Sequence, residues 1–169
     1  REMPARLAEL QAACTAAGLA ITLIQGAEVY PMTGILQAID AGVPLTLGTA
    51  GRHLLFDSPF TQLPLKIAER VYELQTHGIT PILAHPECIV EVQMNPGILE
   101  EHVDRGLLLQ ISTSSLLGVY SEQALRTARV LLEHRWVHFL ASDAHSPRTR
   151  RPGLATAAVR LVEYTDAET

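Results

Sequence analysis

Apolar residues follow two alternating patterns along the chain, one with helical spacing and one in short continuous runs. The first pattern places Leu7, Leu10 and Cys14 three or four positions apart and stops at Gly18, a residue type that often ends a helix. The second pattern follows at once in residues 20–24, an apolar run that is typical of a buried strand. The chain therefore opens with a predicted helix and a predicted strand.

The same alternation of helix and strand continues to the end of the chain. Further strands are predicted at residues 53–56, 82–84, 107–111 and 137–141. Further helices are predicted around residues 35–39, after Pro64, after Asn95, after Ser121 and from Leu154. Strands that alternate with helices indicate an α/β chain of parallel βα units, arranged either as an open sheet or as a closed barrel.

Motifs and strand number bear on the choice between an open sheet and a barrel. No GxGxxG or GxxxxGK[ST] motif follows any predicted strand, so a nucleotide-binding open sheet has no support. A barrel of seven or eight strands needs about two or three more than the five predicted. Because the chain opens on a helix, the missing first one or two βα units are expected before Arg1. The length of 169 residues fits a single domain over residues 1–169.

Composition narrows the classes of partner and compartment. The net charge is −5, and no basic run extends beyond Arg148 to Arg151, so a nucleic-acid partner is not expected. Every apolar stretch is shorter than the roughly 18 residues that a membrane span needs, so no span is expected. The two cysteines, Cys14 and Cys88, lack CxxC spacing, which favours a reducing cytoplasm over a disulfide framework or a thiolate zinc site.

Four residues of metal-ligand type lie at predicted strand ends. Glu28 follows the first predicted strand, His85 directly follows residues 82–84, and Asp143 and His145 follow the last strand. The carboxyl ends of parallel barrel strands meet on one face, so these side chains are expected to converge. Taken singly, each has an ordinary structural explanation, such as a solvated Glu or an Asp in a turn. Together they predict a metal cluster, because imidazole and carboxylate groups bind zinc, manganese and iron.

Two other residue types bear on phosphate chemistry. An arginine fork binds phosphate oxygens in pairs, and Arg150 is the preferred candidate, with Arg148 and Arg151 interpreted as solvated residues at a helix entry. Cys88 raises the alternative of a thiol phosphatase. The phosphate loop of that class needs an Arg six positions after the Cys, and none lies there, so the thiol mechanism is rejected.

Four short strings, in this order, resemble the polymerase and histidinol phosphatase (PHP) superfamily. They are GAEV at 26–29, AHPE at 84–87, QISTSS at 110–115 and SDAH at 142–145. Within the superfamily, the chain is most similar to the CpsB-type bacterial protein-tyrosine phosphatases of capsule and exopolysaccharide synthesis. The resemblance implies a distorted (β/α)7 TIM-like barrel and hydrolysis of phosphotyrosine on a bacterial tyrosine kinase. It also implies two to three metal ions, often Mn²⁺, with Fe²⁺, Zn²⁺ or Co²⁺ as alternatives.

The resemblance carries over residue by residue. Glu28 matches the bridging glutamate of the family and His85 matches the histidine of its HPE motif. Asp143 and His145 match the closing aspartate and histidine, and Arg150 matches an arginine that contacts the substrate phosphate. The resemblance thus implies the same four metal ligands as the strand-end argument, with Arg150 as the catalytic residue.

Two departures from the family pattern leave alternatives open. Cys88 stands where family members usually have Arg, and the family's opening HxH motif and a further His are absent from the sequence. The alternatives are a small-molecule phosphatase, such as a histidinol phosphatase, and a truncated inactive domain that serves as an interaction module. A truncated barrel is also expected to expose a strand edge and to form a homo-oligomer.

Overall fold

The computed structural model describes residues 3–31, 33–48 and 50–166, and its strands form a parallel sheet. The strands are β1 (Glu28–Val29), β2 (His53–Phe56), β3 (Thr80–Ala84), β4 (Leu108–Ser112) and β5 (Val137–Ala141). They are hydrogen-bonded in the order β1-β2-β3-β4-β5, and each neighbouring pair is parallel. Strands that follow each other in the sequence are therefore neighbours in the sheet. The predicted α/β class with a parallel sheet is confirmed, while closure into a barrel stays a prediction.

Helices lie between the strands as the apolar spacing predicts. They are α1 (Met3–Ala16), α2 (Ile35–Asp40), α3 (Ile67–Thr76), α4 (Val90–Met94), α5 (Glu100–Asp104), α6 (Thr113–Leu116), α7 (Glu122–Glu133) and α8 (Leu154–Asp166). The predicted cap of α7 is confirmed, since Ser121 Oγ accepts a hydrogen bond from the Ala124 N–H at 3.0 Å. Helix α3 begins later than Pro64, because Lys66 has a left-handed backbone (φ 60°) that a helix excludes. None of the described helices is long and apolar enough to cross a membrane.

The hydrophobic core lies on the central strands β2, β3 and β4. Leu54 and Leu83 have no solvent exposure, and neither do Leu109 and Ile111 on the next strand. Consecutive residues of β3 are buried, as expected for a parallel strand that is covered on both faces. The ends of the strands are in step, with Phe56 paired to Leu83 in the register. Residues that follow each strand therefore emerge at one edge of the sheet.

The strand predicted at residues 20–24 is wrong. These residues have no regular secondary structure and are exposed or half-buried. The side chain of Gln11 occupies their hydrogen-bonding groups, because its amide donates to the Ile21 carbonyl at 2.9 Å and its oxygen accepts from the Leu23 N–H at 2.8 Å. An apolar run becomes a strand only where another strand pairs with it. The first strand of the described sheet is instead β1, so Glu28 lies within a strand and not in a loop after one.

Candidate metal centre and active site

Polar side chains from the carboxyl-terminal edge of the sheet line a cavity of about 200 Å³. Each strand contributes in turn: Glu28 from β1, Asp57 after β2, His85 after β3, Ser112 at the end of β4 and Asp143 beyond β5. The remaining lining residues are Phe60, Cys88, Ser114, Tyr120, His145 and Arg150. The four predicted ligands and the predicted phosphate-binding arginine are therefore brought to one place.

Three metal-ligand side chains converge inside this cavity. One donor atom each from Glu28, Asp57 and His85 lies within 4.8 Å of the other two, the arrangement that the described residues offer for a metal ion. His85 Nε2 is 3.2 Å from Glu28 Oε1 and 3.6 Å from Asp57 Oδ1. Two carboxylates and one imidazole form a donor set that manganese, iron and zinc accept. The chemistry of the residues present therefore fits a divalent cation.

The backbone holds His85 in an unusual conformation. Its φ is 35°, in the left-handed region that residues other than glycine rarely adopt. A residue that precedes a proline usually has an extended backbone, and His85, which precedes Pro86, does not. The reason is visible in the hydrogen bonds: the His85 N–H donates to the Gln110 carbonyl at 2.7 Å, and the tight turn Pro86–Cys88 follows at once. Such strain is typical of functional positions and directs the imidazole toward the carboxylates.

Glu28 and His85 change each other's protonation. Burial disfavours the charged imidazole, but the hydrogen bond and the negative charge of Glu28 outweigh it and raise the pKa of His85. The hydrogen bond from His85 lowers the pKa of Glu28, although partial burial opposes the change. Both shifts favour the charged forms of the two side chains at this contact, where His85 Nε2 is 3.2 Å from Glu28 Oε1.

Asp143, His145 and Arg150 form a second group of residues in the lining of the same cavity. The Arg150 guanidinium donates to Asp143 Oδ2, and His145 Nδ1 is 3.5 Å from Asp143 Oδ1. Asp143 also has a left-handed backbone, with φ 46°. Arg148 and Arg151 are exposed and lie outside the cavity lining, as their interpretation as solvated residues requires. Asp143 and His145 are thus beside the three-donor group, and their role as ligands stays a prediction.

A buried polar network supports the floor of the cavity. The Ser112 N–H donates to Glu87 Oε1 at 2.9 Å, and the hydroxyls of Ser112 and Ser115 are 3.0 Å apart. Cys88 Sγ lies 3.5 Å from Ser115 Oγ. Burial, together with the negative charge of Glu87, raises the pKa of the Cys88 thiol to about 12. A neutral thiol is a poor nucleophile, which agrees with the rejection of a thiol phosphatase.

Asp57 is the donor that the sequence argument missed. It directly follows the predicted strand at 53–56, so the rule that selected His85 applied to it equally. The following Ser58 and Pro59 make the segment read as a turn, and Asp57 Oδ1 does accept from the Ser58 N–H at 2.7 Å. Only the register of β2 beside β1 and β3 shows that this carboxylate faces Glu28 and His85.

Known proteins that resemble the chain are tyrosine phosphatases by name. Tyrosine-protein phosphatase YwqE of Bacillus subtilis is 36% identical over 99 residues, which are 59% of this chain and 39% of that protein. Tyrosine-protein phosphatase CpsB of Streptococcus agalactiae is 35% identical over 142 residues, which are 81% of this chain and 58% of that protein. The chain therefore spans between about two fifths and three fifths of the length of these relatives.

A solved structure and a family model extend the match to nearly the whole chain. The structure belongs to a study of YwqE from Bacillus subtilis and CpsB from Streptococcus pneumoniae, described as metal-dependent tyrosine phosphatases. It superposes with a TM-score of 0.85 at 28% identity and covers 93% of this chain and 63% of its own. The family model for capsular polysaccharide synthesis, CpsB/CapC, matches residues 1–168. The chain belongs to the CpsB/CapC family of capsular polysaccharide synthesis.

Proposed function

We propose that the chain carries the active site of a metal-dependent protein-tyrosine phosphatase. The observation that carries the proposal is the convergence of Glu28, Asp57 and His85 at the ends of neighbouring strands in a chain of this family. The relatives named as tyrosine phosphatases support the same activity. The substrate proposed is a phosphotyrosine protein, namely a bacterial tyrosine kinase of capsule or exopolysaccharide synthesis.

The proposed cofactor is Mn²⁺, with two to three ions in the intact site. Glu28, Asp57 and His85 would hold one ion, and Asp143 and His145 are proposed as further ligands. A bound divalent ion neutralises phosphate charge and lowers the pKa of its water from 15.7 toward about 7. We further propose that the five parallel strands belong to a distorted seven-stranded barrel, that residues 1–169 are one domain and that the protein is cytoplasmic.

The protein's own side chains would bind and orient the phosphate. The planar guanidinium fork of Arg150 suits two phosphate oxygens. In the structure this fork is engaged by Asp143. A bound phosphate would therefore replace the Asp143 carboxylate as the hydrogen-bond acceptor of the Arg150 guanidinium. The hydrogen bond from the backbone N–H of His85 to the Gln110 carbonyl fixes the backbone that carries the imidazole.

Metal-dependent hydrolysis of a phosphotyrosine peptide by the 169-residue chain tests the proposal. Release of phosphate should require added Mn²⁺, stop after chelation and return when Mn²⁺ is restored. Asp57→Asn, which keeps the size of the side chain but removes its charge, should weaken Mn²⁺ binding at least tenfold in calorimetry. The control is Asp40→Asn, since Asp40 ends α2 and lies outside the cavity lining.

Two results would contradict this function. Hydrolysis that persisted after complete removal of metal would exclude the metal-dependent mechanism. Loss of activity in Cys88→Ser with unchanged Mn²⁺ binding would point instead to a thiol nucleophile, against the pKa of about 12 that burial gives this thiol.

A further inference from the structure

Two aromatic side chains stand exposed at the mouth of the cavity. Phe60 is 52% exposed and Tyr120 is 48% exposed, and both belong to the cavity lining. Single exposed apolar residues are ordinary on a protein surface. Two adjoining aromatic residues that line a cavity beside metal-ligand residues form an apolar surface that a ligand in the cavity can contact. We call this pair, Phe60 and Tyr120, the aromatic wall.

The rings of the aromatic wall lean against each other and toward the candidate metal centre. The centroid of Phe60 is 5.7 Å from that of the His85 ring and 6.4 Å from that of Tyr120. The planes are tilted by 50° and 55°. A ring inserted between Phe60 and Tyr120 would need about 7 Å, two contacts of about 3.5 Å each. A bound ring therefore lies against the open side of the wall, in an offset or edge-to-face contact.

Backbone hydrogen bonds fix the position of the wall. The Phe60 carbonyl accepts from the Val90 N–H at 2.7 Å, which ties its loop to the start of α4. The same loop is closed by Ser58 Oγ, which donates to the Gln62 carbonyl at 2.9 Å. The Tyr120 N–H donates to the Ser114 carbonyl at 3.1 Å. An aromatic surface that is ordered before binding loses little entropy when a ligand docks.

We propose that the aromatic wall selects aryl phosphate esters over alkyl ones, an inference that rests on the proposed phosphatase function. A phosphate held at Arg150 and the three-donor group leaves its ester group at the mouth of the cavity, where Phe60 and Tyr120 lie. In an aryl ester the ring is attached directly to the phosphate oxygen and reaches the wall. In an alkyl ester a flexible methylene occupies that place and makes little contact. Phe60, which adjoins both His85 and Tyr120, is the specificity-determining residue.

Two non-hydrolysable probes test the wall by binding. Phenylphosphonate and methylphosphonate carry the same charged head and differ in the ring. Their affinities for the Mn²⁺-loaded 169-residue chain are measured by calorimetry at a pH where both are fully ionised. The chain should bind phenylphosphonate about tenfold more tightly. Phe60→Ala should bring the ratio of the two dissociation constants close to one with little change for methylphosphonate, and Phe60→Tyr should restore the preference.

The matched control is Tyr72→Ala, because Tyr72 is an exposed aromatic residue of α3 outside the cavity lining. It should leave both affinities unchanged, and thermal melts should show that every variant is folded. A preference for phenylphosphonate that persists in Phe60→Ala would contradict the role proposed for the aromatic wall and would not affect the phosphatase proposal. Equal binding of the two probes by the unmodified chain would also contradict only the role of the aromatic wall. Failure of both probes to bind would overturn the wall together with the proposed function.

Discussion

The first third of the chain and the region that follows it differ sharply in packing. Among the described residues 3–31 and 33–48, none is buried, and the apolar positions of α1 are exposed or half-buried. From Leu54 onward, β2, β3 and β4 supply fully buried side chains, and α3 and α7 cover them. Apolar content is therefore no measure of packing: both regions are rich in Leu, Ile and Ala, and only one of them encloses these residues.

The candidate metal centre spans the two regions. Asp57 and His85 project from the packed region, whereas Glu28 belongs to β1, the short first strand of the described sheet. A cation bound by all three would join a rigid part of the molecule to a weakly packed one. Because a ligand that binds only the native state stabilises it, a cation bound by all three residues should raise the free energy of unfolding.

Matched truncations of leucine should show the largest contrast between the regions. Leu83→Ala removes a side chain with no exposure, so it should lower the free energy of unfolding by about 2–5 kcal/mol. Leu19→Ala makes the same chemical change at a position that is 53% exposed and should cost less than about 0.5 kcal/mol. Urea unfolding of the metal-free chain measures both. An equal cost for Leu19→Ala would mean that this segment is covered in solution, for example by a second copy.

A smaller effect is expected from the buried carboxylate beneath the site. Glu87→Ala leaves the buried N–H of Ser112 without its acceptor and should destabilise the protein by about 1–3 kcal/mol. Glu87→Gln keeps an acceptor oxygen and should cost less. Glu9→Ala, in the exposed helix α1, is the matched control and should be nearly neutral. If Glu87→Gln cost as much as Glu87→Ala, the charge and not the hydrogen bond would be the stabilising feature.

The smallest expected effect is a dependence of the free energy of unfolding on pH. It arises from the contact between Glu28 and His85, which joins the two regions. The pKa of His85 is higher in the folded protein than its ordinary value of 6.5. The stability that this shift contributes is therefore fully present below pH 6.5, and it is lost as the pH rises through the pKa of the folded state. The lowered pKa of Glu28 gives stability above its ordinary value of 4.5 that is lost as pH falls. In the metal-free chain, the advantage over Glu28→Gln should therefore be greatest between these two values.

Urea midpoints of the metal-free protein and of Glu28→Gln at about pH 3.5, 5.5 and 8 provide the measurement. Parallel curves for the two proteins would mean that the ion pair between Glu28 and His85 does not stabilise the native state.

Much of the fold follows from local sequence. Most of the wrong predictions concern features that depend on residues distant in the sequence. The start of a helix after Ser121 and the end of a helix near Gly18 depend on neighbouring residues, so the pattern predicts them. Residues 20–24 have the composition of a strand, but composition does not tell whether another strand lies alongside. The left-handed backbone of His85 was likewise hidden, since it depends on the carbonyl of Gln110 on β4.

The residues of the candidate site could be predicted where the ends of the strands could be predicted. Glu28, His85, Asp143, His145 and Arg150 were selected from position and residue type, and the sheet brings all five to one cavity. Asp57 follows a predicted strand in the same way and was not among the predicted ligands. The contact between Phe60 and Tyr120 could not be predicted from the sequence, because 59 residues and the two strands β3 and β4 lie between them.

The loop after β2 has a consequence for how enzymes of this kind diverge. Asp57 and Phe60 lie three positions apart on it, so one segment carries both a metal-ligand residue and the residue proposed to recognise the leaving group. Insertions or deletions there would disturb both at once and would be purged by selection. A single substitution at position 60 leaves the carboxylate in place. Changes in substrate preference should therefore accumulate by replacement at that position, while the length of the loop stays constant.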